Sequence, residues 1–262
     1  MSGGGGAAAN AAISGRRVLV DLAGRGRTGK SAVGDILVRL AADAGREVLV
    51  ADANQNATMA ALHPGSASRP PSDDLGDVKG WLGDRLGEMV ARGRSLVLDL
   101  GPAAEAVRRE HALEFDLTRF CERRGWAALT VFTAGPSRED FDYVLGLVRS
   151  GIHLSRPSVL LFNEALTPAK RNIADAFAAV LDAPELAEGG ELEAAGVRPM
   201  LLPNLPFLDL LRAKGLGFRA AMEGAPGADG KALDPMRQDQ VRFDVEDLLA
   251  RFEGLGVADR LP

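Results

Sequence analysis

The sequence is poor in the two residue types that build redox centres and zinc-type metal sites. Its 262 residues include one cysteine and three histidines. The lone Cys121 excludes an internal disulfide and favours a reducing compartment, so we expect a cytoplasmic protein. His63, His111 and His153 are scattered and have no cysteine or acidic cluster at ligand spacing. A metal centre other than a magnesium site is therefore not expected.

Long hydrophobic runs and a strong net charge are also lacking. No run of about 18 apolar residues is free of charge, so we expect no membrane span. Residues 1–15, MSGGGGAAANAAISG, lack the basic start and apolar stretch of a signal peptide, and we expect a flexible tail. Residues 16–262 are expected to form one domain. The formal charge of −5 argues against a protein that binds nucleic acid over most of its surface, although it is compatible with a local basic patch.

Apolar runs alternate with helical segments along the chain, which is the pattern of an α/β domain. Runs such as RRVLVDL and RSLVLDL are almost continuously apolar, as is typical of strands buried on both faces of a parallel sheet. We therefore predict a mostly parallel central sheet with helices on both faces. The predicted strands are residues 17–22, 47–51, 95–100, 127–132, 158–162 and 198–202. The predicted helices are residues 31–45, 77–92, 103–124, 138–150, 169–181, 208–214 and 244–252, with long loops over 63–74 and 223–235.

A phosphate-binding loop follows the first predicted strand. The stretch GRGRTGKS fits the pattern G-x-x-x-x-G-K-[ST] and lies between a strand and a helix, as the motif requires. Only five of the 31 basic residues are lysine, which makes a lysine in the loop informative. Lys30 would reach the β- and γ-phosphates, and the Ser31 hydroxyl would bind Mg²⁺. The predicted nucleotide contacts are Gly24, Gly26, Arg27, Thr28, Gly29, Lys30 and Ser31; the alternative is a glycine-rich turn without a ligand.

A second acidic group is expected beside the magnesium. The strand in SLVLDLGP ends at Asp99 and is followed by Gly101 and Pro102. A carboxylate at this point suits a residue that holds a Mg²⁺-bound water near the γ-phosphate. The alternative is an ordinary surface aspartate at the end of a strand.

With the loop, VLVADANQNAT and VLDLGP in hand, the chain resembles the ParA/MinD family of deviant phosphate-loop ATPases. Family members carry K-G-G-x-G-K-[ST], against RGRTGKS in this sequence, and ParA proteins often show D-P-Q-G-N-A-T, against DANQNAT. The loop and the N-A-T pattern also resemble the ATPases of conjugative DNA transfer, such as the TraL type. The resemblance covers residues 17–217, and its specific motifs lie in the first hundred residues.

The resemblance implies catalytic roles for three residues. Asp52 would orient or activate the attacking water, and Lys30 would bind phosphate. Arg25 occupies the position of the signature lysine. In the family, this lysine crosses a dimer interface to the partner's nucleotide. An arginine keeps the charge there but not the shape, so the two residues are not equivalent. Arg27 replaces a family glycine. The sequence leaves open whether its side chain faces phosphate, a partner or solvent.

The resemblance also implies where the base would lie. Asn163 ends the strand SVLLFN, at the position where family members place an asparagine that contacts adenine. LLPNLPFLDLLRAKG resembles the family's strand, proline-bearing base loop and short helix, which points to Pro203. A plain strand-end turn residue is an equally weighted interpretation of Asn163.

The function implied is a switch ATPase that takes ATP and Mg²⁺ and forms a homodimer in the ATP state. An activating partner protein is expected, together with DNA bound without sequence preference, and paired arginines at 108–109 and 123–124 are candidates for such a patch. No membrane partner is expected, because the helix DVEDLLARF is acidic on its polar face. The alternatives are a metabolic phosphoryl transferase, such as a small-molecule kinase or synthetase, and a binding switch without turnover.

Overall fold

A seven-stranded, all-parallel sheet forms the centre of the protein, and six of its strands coincide with the predicted apolar runs. The computed structural model describes residues 17–101, 106, 107, 109, 116–151 and 155–262. The predicted tail, Pro102, His111, His153 and the arginine at 108 lie outside these residues. The strands are β1 (Val18–Gly24), β2 (Val48–Asp52), β3 (Ala67–Ser68), β4 (Ser95–Asp99), β5 (Ala127–Ala134), β6 (Ser158–Asn163) and β7 (Val197–Leu202). Their spatial order is β3-β2-β4-β1-β5-β6-β7.

Helices cover both faces of the sheet. They are α1 (Lys30–Asp43), α2 (Thr58–Leu62), α3 (Leu75–Arg92), α4 (Leu117–Glu122), α5 (Arg138–Ser150), α6 (Ile173–Leu181), α7 (Glu191–Ala194), α8 (Leu208–Lys214), α9 (Phe218–Met222) and α10 (Pro235–Gly254). One core cluster joins α1, α8, α9 and α10 to one face of the sheet. Two further clusters join α3, α4, α5, α6 and α7 to the other face. Every residue of β2, β4 and β6 is buried, which explains their continuous apolar sequence.

The parallel register brings the ends of three central strands together. β1 lies between β4 and β5, and in the ladder Leu22 pairs with Asp99. On the next strand Asp52 pairs with the same Asp99. Because all these strands run in one direction, the loop after β1 and the segments after β2 and β4 leave the sheet at one edge. The fold therefore gathers the predicted site residues from distant parts of the sequence.

β3 and α2 are among the short elements that the sequence did not predict. β3 lies within the stretch 63–74, where two residues pair with β2, and the indole of Trp81 donates to the Ser68 hydroxyl at 3.0 Å. α2 follows the DANQNA stretch and has only five residues. Elements this short bury too few side chains to produce a readable hydrophobic period.

The last helix is longer than predicted. α10 begins at Pro235, nine residues before the predicted start. Asp234 caps it by accepting the amide of Arg237 at 3.1 Å, and Pro235 occupies the first turn. An Asp-Pro pair is a helix-start signal, so the beginning of this helix was readable from the sequence.

The described part of the predicted helix 103–124 includes α4, where Cys121 lies. Its thiol is fully buried against the α3 cluster, and burial raises the pKa of Cys121 to about 12. A thiol with that pKa is not a nucleophile at neutral pH, so Cys121 serves in packing. Among the described residues, no helix combines the length and the apolar character needed to cross a membrane.

Candidate functional site

The phosphate loop connects β1 to α1 through a chain of residues with positive φ angles. Gly24 has φ +143°, Arg27 +70° and Gly29 +98°. At Gly24 a Cβ would lie 2.5 Å from the Thr133 carbonyl oxygen, so only glycine fits there. The loop is therefore pressed closely against β5, and this packing fixes its curvature.

Thr28 anchors the loop to the sheet. Its buried hydroxyl lies 2.7 Å from the Thr133 hydroxyl and donates to the carbonyl of Arg25 at 2.8 Å. The carbonyl of Thr28 accepts the side-chain amide of Asn163 at 3.2 Å. These bonds tie the loop to β5 and β6, which gives it the preorganisation that a phosphate cradle needs.

Lys30 folds back over its own loop. The ammonium donates to the carbonyls of Gly24 at 2.7 Å and Arg25 at 3.0 Å, and the side chain is 5% exposed. These two carbonyls hold the ammonium inside the loop, where the motif places the phosphates. Lys30 is therefore placed at the centre of the loop, as the motif predicts.

Ser31 and Asp99 meet where α1 begins and β4 ends. The Ser31 hydroxyl donates to Asp99 Oδ2 at 2.6 Å, and Asp99 is fully buried. A hydroxyl and a carboxylate are hard oxygen donors of the kind Mg²⁺ prefers, and in nucleotide sites the phosphate oxygens complete its shell. The two residues predicted to bind metal therefore lie together, and their chemistry fits a magnesium ion.

Asp52 lies beside this pair at the end of β2, but its carboxylate already has two backbone partners. Oδ1 accepts the amide of Asn54 at 2.9 Å, and Oδ2 accepts the amide of Ala60, in α2, at 2.8 Å. The residue is fully buried. In this conformation Asp52 orders the segment that follows β2, which holds the DANQNAT motif in place next to the phosphate loop.

Arg25 and Arg27 have different surroundings. The guanidinium of Arg25 lies 2.7 Å from Glu139 and 3.6 Å from Asp140, in the first turn of α5. The hydrogen bond from Arg25 to Glu139 and the charge of that carboxylate raise the pKa of Arg25. Arg27 is exposed and occupies the left-handed region, which costs a side chain about 1–2 kcal/mol. Of the two arginines that replace residues of the family motif, Arg25 therefore forms ion pairs, whereas Arg27 is exposed.

Asn163 and Pro203 lie at the carboxyl ends of neighbouring strands. Besides its bond to Thr28, Asn163 accepts the amide of Ala165 at 3.1 Å through Oδ1, so its side chain also serves as a turn residue. Pro203 follows β7 and is half-buried, and next to it the amide of Asn204 donates to the Glu164 carboxylate at 3.4 Å. The predicted base-binding residues are thus near one another, and Asn163 reaches the phosphate loop directly.

A buried ion cluster behind the loop was missed by the sequence reasoning. Asp35, one helical turn after Ser31, is fully buried and lies within 2.9 Å of Arg39, His63 and Arg212. Burial raises the pKa of its carboxyl, but the His63 ring and the two guanidinium groups outweigh burial and lower it overall. His63 lies in the loop after α2 and faces this buried carboxylate. An aspartate on the apolar face of a predicted helix was the available signal.

Comparison with known proteins bears on the fold. No protein family and no protein of curated function matches the sequence. The structure of apo McdA from Cyanothece is similar, with a TM-score of 0.50, 14% identity, and coverage of 92% of this chain and 98% of that one. The signal recognition particle receptor FtsY of Elizabethkingia anophelis aligns with a TM-score of 0.48 and 10% identity. That alignment covers 77% of this chain and 66% of FtsY.

The chain therefore has the fold of the SIMIBI class of phosphate-loop NTPases, a single layer of parallel strands between two layers of helices. The likeness to McdA extends over nearly the whole of both chains. At 14% identity it establishes the fold. The chemistry of the site has to be argued from the residues themselves.

Proposed function

We propose that the protein is an ATP-dependent dimerising switch ATPase of the ParA/MinD class, acting in the cytoplasm. It would bind Mg-ATP, associate with a second copy, and hydrolyse the nucleotide slowly to return to the free state. The observation that carries the proposal is the contact between Ser31 and Asp99, with Asp52 paired to Asp99 on the adjacent strand. That arrangement supplies a metal position and a carboxylate next to a phosphate loop.

The roles of the chain's own groups follow from their positions. Lys30 would leave the carbonyls of Gly24 and Arg25 and bind the phosphates, while Ser31 and Asp99 would hold Mg²⁺. Bound Mg²⁺ would neutralise charge on the phosphate oxygens. Asp52 would have to give up at least one of its backbone partners to orient a water molecule. This exchange offers a physical reason for slow hydrolysis, since the catalytic geometry is not the resting one.

Arg25 is proposed to act across the dimer. In the free chain its guanidinium pairs with Glu139 and Asp140 on the surface of α5. Exposed pairs of this kind are weak and are screened by salt, so a nearby phosphate can compete with them.

The cargo proposed is DNA, in partition, positioning or conjugative mobilisation, with a partner protein that stimulates hydrolysis. Arg123 and Arg124 after α4 are exposed and available to a DNA-binding surface.

The first test is the molar mass of the protein by light scattering with Mg-ADP, with a non-hydrolysable Mg-ATP analogue, and without nucleotide. We expect a dimer only with the ATP analogue and a monomer for Arg25→Ala under all three conditions. One unchanged mass, together with ADP release only when a particular metabolite is added, would contradict the switch and support a phosphoryl transferase. Stimulation of ATP hydrolysis by double-stranded DNA then tests the cargo.

A further inference from the structure

Arg27 is a strained residue in the phosphate loop. Across the described part of the chain, the residues other than glycine with a positive φ angle are Arg27 and Ala57. One is in the loop and the other in the N-A-T motif, so both lie in segments that the proposed function assigns to the nucleotide. Backbone strain of this kind persists where the surroundings enforce it, and it concentrates at ligand-binding positions.

The loop is anchored on one side of Arg27 and open on the other. Thr28 follows it and is fixed to Thr133 and to the carbonyl of Arg25. Gly26 precedes it, and a Cβ built there would meet nothing within 4 Å. The side of the loop at Gly26 is therefore open, while Thr28 is packed against the sheet. Arg27 is exposed between them, so its guanidinium is free to move toward a ligand above the loop.

The guanidinium of Arg27 also differs from that of Arg25 in its contacts. Within the residues that the structure describes, no hydrogen bond or ion pair of its side chain is recorded, whereas Arg25 contacts two carboxylates. A guanidinium without an acidic partner retains all its donors, and its planar fork matches phosphate oxygens in two places. Of the two loop arginines, Arg27 is therefore the one that can bind phosphate without first giving up an ion pair.

We infer that Arg27 is a specificity-determining residue that binds the terminal phosphate of the nucleoside triphosphate held in its own loop. It makes the site favour a triphosphate over a diphosphate. The inference rests on the proposed function, because it requires that the loop bind a nucleotide. It assigns Arg27 a task within one chain, in contrast to the role across the dimer proposed for Arg25.

The test compares the affinities of Mg-ADP and of a non-hydrolysable Mg-ATP analogue by calorimetry, for the full chain and its variants. Arg27→Gly removes the guanidinium and relieves the φ strain, so the loop keeps its shape and the melting temperature does not fall. We expect its affinity for the ATP analogue to drop about 10- to 100-fold, as for loss of a hydrogen bond to a charged group. Its ADP affinity should stay within about threefold.

Two further variants separate charge from structure. Arg27→Lys keeps the charge and should lose only part of the preference for triphosphate, about threefold, whereas Arg27→Gln should behave like the glycine variant. Arg119→Gln removes one exposed arginine of α4, which leads into the amino end of β5 at the opposite edge of the sheet, and should change neither affinity.

Each result decides between the proposals. If the unmodified protein binds both nucleotides and Arg27→Gly keeps the full preference for the ATP analogue, the assignment of Arg27 is wrong and the switch ATPase survives. An equal loss of both affinities would also overturn this assignment, because Arg27 would then not distinguish a triphosphate from a diphosphate. If the unmodified protein binds neither nucleotide, the proposed function fails together with this inference.

Discussion

The hydroxyl of Ser31 donates a hydrogen bond of 2.6 Å to Asp99, although 68 residues separate them in the sequence. The contact joins the first turn of α1 to the carboxyl end of β4. A serine hydroxyl and a buried carboxylate in contact beside a lysine-bearing loop offer two oxygen donors to an octahedral magnesium ion and leave the other positions to phosphate and water. This pair therefore gives the most direct tests of the site.

Asp99→Asn should weaken the magnesium dependence of nucleotide binding without unfolding the protein. The amide oxygen can still accept from Ser31, but the negative charge next to the metal is lost. We expect the magnesium affinity of the nucleotide complex to fall about 10- to 100-fold, as for loss of a group that orients metal ligands. Titration of Mg²⁺ against a fluorescent nucleotide measures it, with magnesium-free binding as the control. Unchanged magnesium affinity would place the ion elsewhere.

Asp52→Asn should destabilise the segment after β2. An asparagine side chain has one acceptor oxygen, so either the amide of Asn54 or that of Ala60 loses its partner. A buried N–H without a partner costs about 1–3 kcal/mol, and we expect that loss in urea unfolding, with faster amide exchange in α2. Asn54→Ala is the matched control, because its side chain accepts the exposed amide of Asn56. Equal stability of the two variants would contradict the structural role of Asp52.

Gly29→Ala and Gly26→Ala should differ sharply although they are three residues apart. At Gly29, φ is +98° and a Cβ would clash with the side-chain amide nitrogen of Asn163, whereas at Gly26 the space is open. We expect Gly29→Ala to lose about 1–2 kcal/mol of stability from the backbone alone and more from the displaced Asn163. Nucleotide affinity should fall with it. Gly26→Ala should keep the stability of the original protein, because the added Cβ meets nothing within 4 Å.

A double variant identifies the cause of that loss. Adding Asn163→Ala to Gly29→Ala removes the clash but leaves the φ strain, so part of the lost stability should return, as calorimetric melting would record. If the double variant is no more stable than the sum of the two single changes implies, the clash with Asn163 is not the source.

The sequence was most informative where a single strand or motif determines the position of a residue. Buried parallel strands are apolar along their length, so their order in the chain was readable from the sequence. Asp99 was predictable as a site residue because it ends such a strand, and the resemblance of DANQNAT to the family motif pointed to Asp52 on the neighbouring strand, whose carboxyl end shares the same edge. Thr133, which anchors Thr28, had no such signal, because the contact spans 105 residues and depends on which strands are neighbours.

The ion cluster around Asp35 is a second feature that could not be predicted from the sequence. Its partner Arg212 lies 177 residues away and reaches Asp35 only because α8 packs on the same face of the sheet as α1. Composition and periodicity describe a helix by its own residues. They do not specify which cation from another element will meet a buried carboxylate, since this depends on tertiary packing.

Asp35→Asn is expected to destabilise the protein at neutral pH by about 3 kcal/mol, because it leaves cationic side chains half-buried without their carboxylate. The sign of the pH dependence follows from the lowered pKa of Asp35. A carboxyl with a lower pKa in the folded state adds stability above its unfolded value, 3.8, and loses that contribution as pH falls through the folded value. The stability gap between the two proteins should therefore stay constant from neutral pH down to about pH 5 and narrow below 3.8.

Asp209→Asn is the matched control for this cluster, because Asp209 pairs with the same Arg212 at 2.7 Å but is 91% exposed. An exposed ion pair contributes little, so this variant should unfold within about 0.5 kcal/mol of the original protein at every pH. Urea unfolding of the three proteins between pH 3 and 7 provides the comparison. A gap for Asp35→Asn that is no larger than that of Asp209→Asn would mean that burial, and not the charge of Asp35, holds α1 and α8 together.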